Sequence, residues 1–80
     1  MSEIQTYSLS ETETEIVRAF AACNMHIGDT ANAVYKSRNT VTYWLAQIKK
    51  HTGLDPKNFY DLAQLVQLAG KEALHADHHH

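Results

Sequence analysis

Between residues 36 and 50 the chain places polar recognition groups at helical spacing. Lys36, Ser37, Arg38, Asn39 and Thr40 come first, Thr42 and Tyr43 follow, and Lys49 and Lys50 close the stretch. Arg, Asn, Ser, Thr and Tyr carry the donors and acceptors that read base edges in a major groove, and Lys supplies a point charge for phosphate. No nucleophile–base pair, paired carboxylates on one helix face or phosphate-cradling glycine loop accompanies them. The chemistry on offer is polar recognition of a large anion rather than bond making. The chain is not expected to be an enzyme or to require a cofactor.

Other chemistry is also open to these side chains and their neighbours. Six histidines invite a metal site, but His26 and His51 lie far apart with no ligand at suitable spacing. His75 and Asp77 adjoin His78-His79-His80, which resembles the remnant of a purification tag and is set aside with residues 75–80. No native metal site is expected. Tyr43 and Trp44 could stack single-stranded bases, but Trp44 falls beside the apolar stripe, so packing is its expected role, while Tyr43 faces outward. Arg38 has a local alternative, an ion pair with Asp29 or Asp55. Asn39 could be a second-choice cap, and the Thr40 hydroxyl suits both a capping turn and a phosphate.

The element that must carry these side chains is a helix over 37–52. Ser37 is a good N-cap, and Val41, Leu45 and Ile48 form one apolar stripe with Trp44 at its edge. Gly53 suits the left-handed residue past the helix end, with Leu54 packing back. Opposite the stripe, a helical wheel places Asn39, Thr42, Tyr43, Ala46 and Lys50. Upstream, Ser10-Glu11-Thr12-Glu13 has the capping-box pattern and opens a helix over 10–23, with Ile16, Ala19, Phe20 and Cys23 facing inward and Val17 widening the stripe. A short helix over 27–35 uses Ile27, Ala31 and Val34, and Ala31 is small enough for a close crossing with Val41. Tyr35-Lys36-Ser37 is then a three-residue turn without the usual glycine. A last helix over 58–73 is capped by Asp55 or by Asn58 and carries Phe59, Leu62, Ala63, Val66 and Ala69 as its stripe. The fold class is all-α: a four-helix domain over 10–74, preceded by a flexible arm over 1–9.

Eighty residues allow one small domain, near the size at which a single core suffices. The net charge of −2 excludes a protein that coats nucleic acid through bulk charge, but the distribution is uneven. Residues 1–15 hold four acids and no Lys or Arg, whereas the stretch between Asp29 and Asp55 holds four cations and no acid. A local basic stretch in an acidic chain is an electrostatic footprint for nucleic acid. The single cysteine, Cys23, permits no internal disulfide and fits a reducing cytoplasm. No apolar run is long enough for a signal peptide or a membrane span.

Laid out together, Asp29-Thr30-Ala31, Arg38-Asn39-Thr40-Val41, Tyr43, Leu45, Ile48 and Thr52-Gly53-Leu54 resemble the C-terminal helix-turn-helix domain of PucR-type bacterial transcription regulators. The likeness spans roughly residues 10–70, and the core is also similar to the DNA-binding end of the nucleoid protein Fis. The resemblance implies a DNA-binding module whose 37–52 helix enters the major groove, in a domain that usually ends a longer regulator. The chain departs from the pattern at Thr42, Trp44, Ala46 and Gln47, where the family usually has basic residues, at His51, where Leu is usual, and at Asn24 and Met25, where small residues or Gly are usual. Fewer phosphate contacts predict weaker DNA binding or dependence on a dimer.

Two functions follow as expectations. The first is sequence-specific binding of double-stranded DNA through Lys36, Ser37, Arg38, Asn39, Thr40, Thr42, Tyr43, Lys49 and Lys50, with Arg38 reading a guanine. The second is an interaction or dimerisation module that keeps the fold without the DNA contacts. In either case Leu65 and Leu68 fall off the stripe of the last helix, with Tyr60 on its other flank, so a homodimer through these three residues is expected. No membrane partner or small-molecule site is expected.

Overall fold

The computed structural model describes residues 9–77. Its elements run α1 (Glu11–Ala22), α2 (Ile27–Ala33), α3 (Arg38–Thr52) and α4 (Phe59–Asp77). There is no strand among the described residues, and the all-α expectation holds. Each helix starts and stops for a local chemical reason. At the head of α1 the Ser10 hydroxyl accepts from the Glu13 amide at 3.1 Å, and the Glu13 carboxylate accepts from the Ser10 amide at 2.9 Å. This is the reciprocal box read from Ser10-x-x-Glu13. Ser37 caps α3 by accepting from the Thr40 amide at 3.1 Å, and its own hydroxyl lies 2.9 Å from that of Thr40. Between the two possible caps for α4 the structure selects Asn58, whose side-chain oxygen accepts from the Asp61 amide at 3.0 Å. Asp55 instead folds its own turn, accepting from the Lys57 amide at 3.0 Å.

The turns on either side of α2 share one geometry. After α1, the Met25 amide donates to the Phe20 carbonyl at 2.8 Å and the Asn24 amide to the Ala21 carbonyl at 3.2 Å. After α2, Lys36 donates to Ala31 at 2.9 Å and Tyr35 to Asn32 at 3.3 Å. Both are Schellman closures, which need a left-handed residue past the helix end. Asn24 (φ 56°) and Tyr35 (φ 58°) fill that role without glycine, and Met25 is left-handed as well (φ 65°). The missing glycine of the α2–α3 turn is thus met by a strained tyrosine, and α2 ends two residues earlier than periodicity predicts. Tyr35 is 95% exposed, so its side chain contributes no packing to offset the strain. Tyr35→Gly is therefore expected to stabilise the domain by about 1 kcal/mol, raising Tm by about 4–8 °C in a thermal melt followed by circular dichroism.

The core draws on every element: Ile16, Val17 and Phe20 of α1, Ala31 and Val34 of α2, Val41, Leu45 and Ile48 of α3, and Leu62, Leu65 and Ala69 of α4. Ala31 is buried as the α2–α3 crossing requires, and Trp44 packs against this core from its edge. At the exit from α3, Gly53 adopts φ 79°, the buried Thr52 hydroxyl donates to the Ile48 carbonyl at 2.7 Å, and the Leu54 amide donates back to that hydroxyl at 3.1 Å. Those bonds are the physical content of Thr52-Gly53-Leu54.

Three expectations need correction. Leu9, at the end of the expected arm, is buried in the core; the rest of that arm, residues 1–8, lies outside the described residues, as do His78, His79 and His80. Helix α4 runs on through Gly70 to Asp77, past the expected end at residue 73. Most consequentially, the buried stripe of α4 is Leu62, Leu65 and Ala69, with Val66 and Leu68 partly buried against the core. Phe59, assigned to the stripe, is 68% exposed, and Ala63 is exposed as well. The helix is rotated by less than a quarter turn from its expected phase. Eight apolar residues from Phe59 to Ala69 spread over more than half the wheel, so period alone cannot choose the inner face. Packing chose the side where two leucines enter and a small Ala69 allows close approach. Leu65 cannot serve as a dimer surface, and Leu68 offers only part of one.

Candidate nucleic-acid interface

Helix α3 separates its two jobs cleanly. Val41, Leu45 and Ile48 are buried and fix the helix in the core, while Asn39, Thr42, Tyr43, Ala46 and Lys50 are all exposed on the opposite side. Ser37, Arg38 and Lys49 are exposed, and Lys36 and Thr40 are partly buried. The structure therefore brings all nine expected recognition residues onto α3 or the two residues that lead into it. Ser37 and Thr40 bond each other's groups at the cap, so their hydroxyls first serve the helix start. Tyr43 and Trp44 meet edge to face, 5.5 Å between centroids with an 81° interplanar angle. With Trp44 packed on the core, that pair is not a flat platform for stacked bases.

The charges on this face are not equally available. Lys49 pairs with Asp55 at 3.8 Å, and Asp29 sits 3.5 Å from His26. Neither Asp29 nor Asp55 lies within ion-pairing distance of Arg38. Among the described residues Arg38 has no carboxylate within ion-pairing distance and no side-chain hydrogen bond. Its guanidinium instead lies against Gly28 in α2: a Cβ at Gly28 would fall 2.8 Å from Nη2, 3.2 Å from Nε and 3.3 Å from Cζ of Arg38. Gly28 is not the helix cap, a role that falls to His26 without any side-chain hydrogen bond. A glycine in the first turn of a short helix was the available signal for this close approach, and only the fold shows which side chain fills the space.

A second contact joins α3 to α1. Glu13 is buried, and one side-chain oxygen lies 3.2 Å from His51 Nδ1 while the other accepts from the Ser10 amide. The polar residue standing where Leu is usual thereby finds its partner, which spacing could not foretell across 38 residues.

Away from α3, an open groove of about 460 Å³ lies between the end of α1 and the start of α4, lined by Ala21, Asn24, Met25, Phe59, Leu62, Ala63 and Val66. It holds no titratable side chain. Among the described residues no group of three or more His, Cys, Asp or Glu is placed to hold a metal ion, and no helix is long and apolar enough to cross a membrane.

A family model described as the PucR C-terminal helix-turn-helix domain matches residues 14–69. No curated protein and no solved structure matches the chain.

Proposed function

Because the chain belongs to the PucR C-terminal helix-turn-helix domain family, we propose that it binds double-stranded DNA sequence-specifically, as a transcription regulator or the DNA-binding part of one, with α3 in the major groove. The observation that carries this reading is the division of α3. One face is locked into the core, and the other presents Asn39, Thr42 and Tyr43 to solvent behind an Arg38 with no anionic partner among the described residues. Arg38 reads a base edge, and Lys36, Lys49 and Lys50 meet phosphates. Lys49 must give up Asp55 to do so, which weakens its contribution. The test is binding to duplexes selected from a random library, measured from 50 to 200 mM salt. Affinity is expected to fall linearly on a log–log plot, with a slope of about −0.9 for each phosphate neutralised. No binding at the lowest salt would leave only an interaction module.

Pairing of two copies belongs to the same reading, now on different residues from Leu65 and Leu68. Phe59 and Tyr60, 68% and 76% exposed and edge to face at 5.5 Å, project beside the apolar groove that Ala63 and Val66 help to line. A projection and a depression in one patch are what a two-fold contact requires, since each copy must supply both. Two α3 helices on one scaffold would read half-sites about one DNA turn apart and offset the missing basic residues. Sedimentation at micromolar concentration is expected to show a dimer that Phe59→Ser/Tyr60→Ser converts to folded monomer. A wild-type monomer on its own and on DNA would remove pairing from the account.

A further inference from the structure

The contact between Gly28 and Arg38 goes beyond a helix presenting side chains to DNA. Glycine inside a helix sacrifices stability relative to alanine, and the helical backbone at Gly28 needs no left-handed conformation, because Gly53 is the only glycine among the described residues with positive φ. Open space does not explain it either, since the Cβ position is filled. What fills it is one flexible, charged side chain from the first turn of α3, whose Nη2 would lie 2.8 Å from a Cβ there. The other two glycines would meet nothing within 4 Å, so close occupancy is particular to this position. An alanine would not break the fold, because the obstructing atoms are the far end of a mobile side chain; it would displace the guanidinium.

We propose that Gly28 is a positioning residue for Arg38: its missing side chain leaves the slot that holds the guanidinium at the α2–α3 edge, ordered before DNA arrives. The proposal rests on the DNA-binding reading above and adds how its principal contact is prepared. A free arginine side chain loses rotamer freedom when it docks on a base, and one already confined by its neighbour loses less. The confinement leaves the guanidinium donors unspent, because no protein acceptor among the described residues takes them. The slot therefore fixes the group's position and leaves its hydrogen bonds for the ligand.

Gly28→Ala tests this with two readouts. In the free protein, the Arg38 Nε–Hε resonance should move, while the melting temperature holds or rises with the gain in helix propensity. On the selected duplex, affinity should fall roughly three- to tenfold. That loss should concentrate at the base pair whose preference Arg38→Ala relaxes. In an Arg38→Ala background, Gly28→Ala should cost nothing further, as a double-mutant cycle requires when one residue acts through the other. An unmoved resonance, an additive loss in the double variant, or a loss spread evenly over all sequences would each overturn the role. So would a gain in affinity, since the slot would then be withholding Arg38 from DNA. If the wild type binds no duplex, the DNA-binding reading fails and takes the role with it. If it binds and only the cycle is additive, the role alone fails.

Discussion

Leu65→Lys is expected to leave the domain unfolded at 25 °C rather than folded and monomeric. Leu65 has no accessible surface and lies in the same buried cluster as Phe20, Leu45, Ile48, Leu62 and Ala69. Removing a leucine side chain from such a site costs about 2–5 kcal/mol, and placing an ammonium there adds several kcal/mol unless the group escapes to water. A domain of this size has little more than that to lose. Far-UV circular dichroism should show loss of helix at every temperature, and Leu65→Ala should still fold with a clearly lowered Tm. A Leu65→Lys chain that keeps its helices and melts cooperatively near the wild-type temperature would return Leu65 to the surface and overturn the phase of α4 described here. The same substitution would have dissociated a dimer under the original expectation, so one spectrum separates the two placements.

Arg38→Ala is expected to weaken binding to the selected duplex by about 1–3 kcal/mol and to relax preference at one base pair, as loss of a bidentate guanine contact does. The residue stands exposed at the first position of α3, with no carboxylate within ion-pairing distance among the described residues. Lys36→Ala and Lys50→Ala should instead lower affinity nearly equally on all sequences and flatten the salt slope by about 1 each. Lys49→Ala should do less, because its pairing with Asp55 already draws on its charge. Selection from a random library with each variant reads both quantities. An Arg38→Ala protein with unchanged sequence preference would take the base-reading role away from this residue while leaving α3 as the docking helix.

What could be read before the structure was local. Ser10-x-x-Glu13, Ser37 and Gly53 each announce a helix end through chemistry confined to a few residues, and each end lies where the residue types place it. The stripe of α3 was equally clear, because Val41, Leu45 and Ile48 have no branched aliphatic rival on the opposite face, which carries only Ala46 and Tyr43 among polar residues. In α4 the rivals exist, and Phe59, Ala63 and Val66 compete with Leu65 and Leu68 for the inner side. That choice is made by packing against α1, the helix that α4 lies close to among the described residues, and a single segment does not contain it. The same limit hid the partners of Glu13 and Arg38. His51 and Gly28 are distant in sequence or bear no side chain, so neither advertises the contact it makes. The outward face of α3 was legible as a set of residues, whereas its uneven distribution of usable charge depended on where Asp29 and Asp55 turned.

The bond from Glu13 to His51 has a consequence for how the protein approaches a polyanion. It brings the first turn of α1, which carries Glu11 as well as Glu13, up to the last turn of α3. Asp55 holds Lys49 at that same end. At the opposite end Arg38 has no carboxylate within ion-pairing distance among the described residues, and the α3 macrodipole adds its own positive pole there. Of the three basic residues in the last turn, Lys49 has Asp55 and His51 has Glu13 beside it, whereas Lys50 and, at the first position, Arg38 have no carboxylate within ion-pairing distance among the described residues. On the DNA-binding reading proposed above, cations at both ends of α3 would let the exposed face lie along the phosphate backbone, with the positive pole of the helix and Arg38 together at its start.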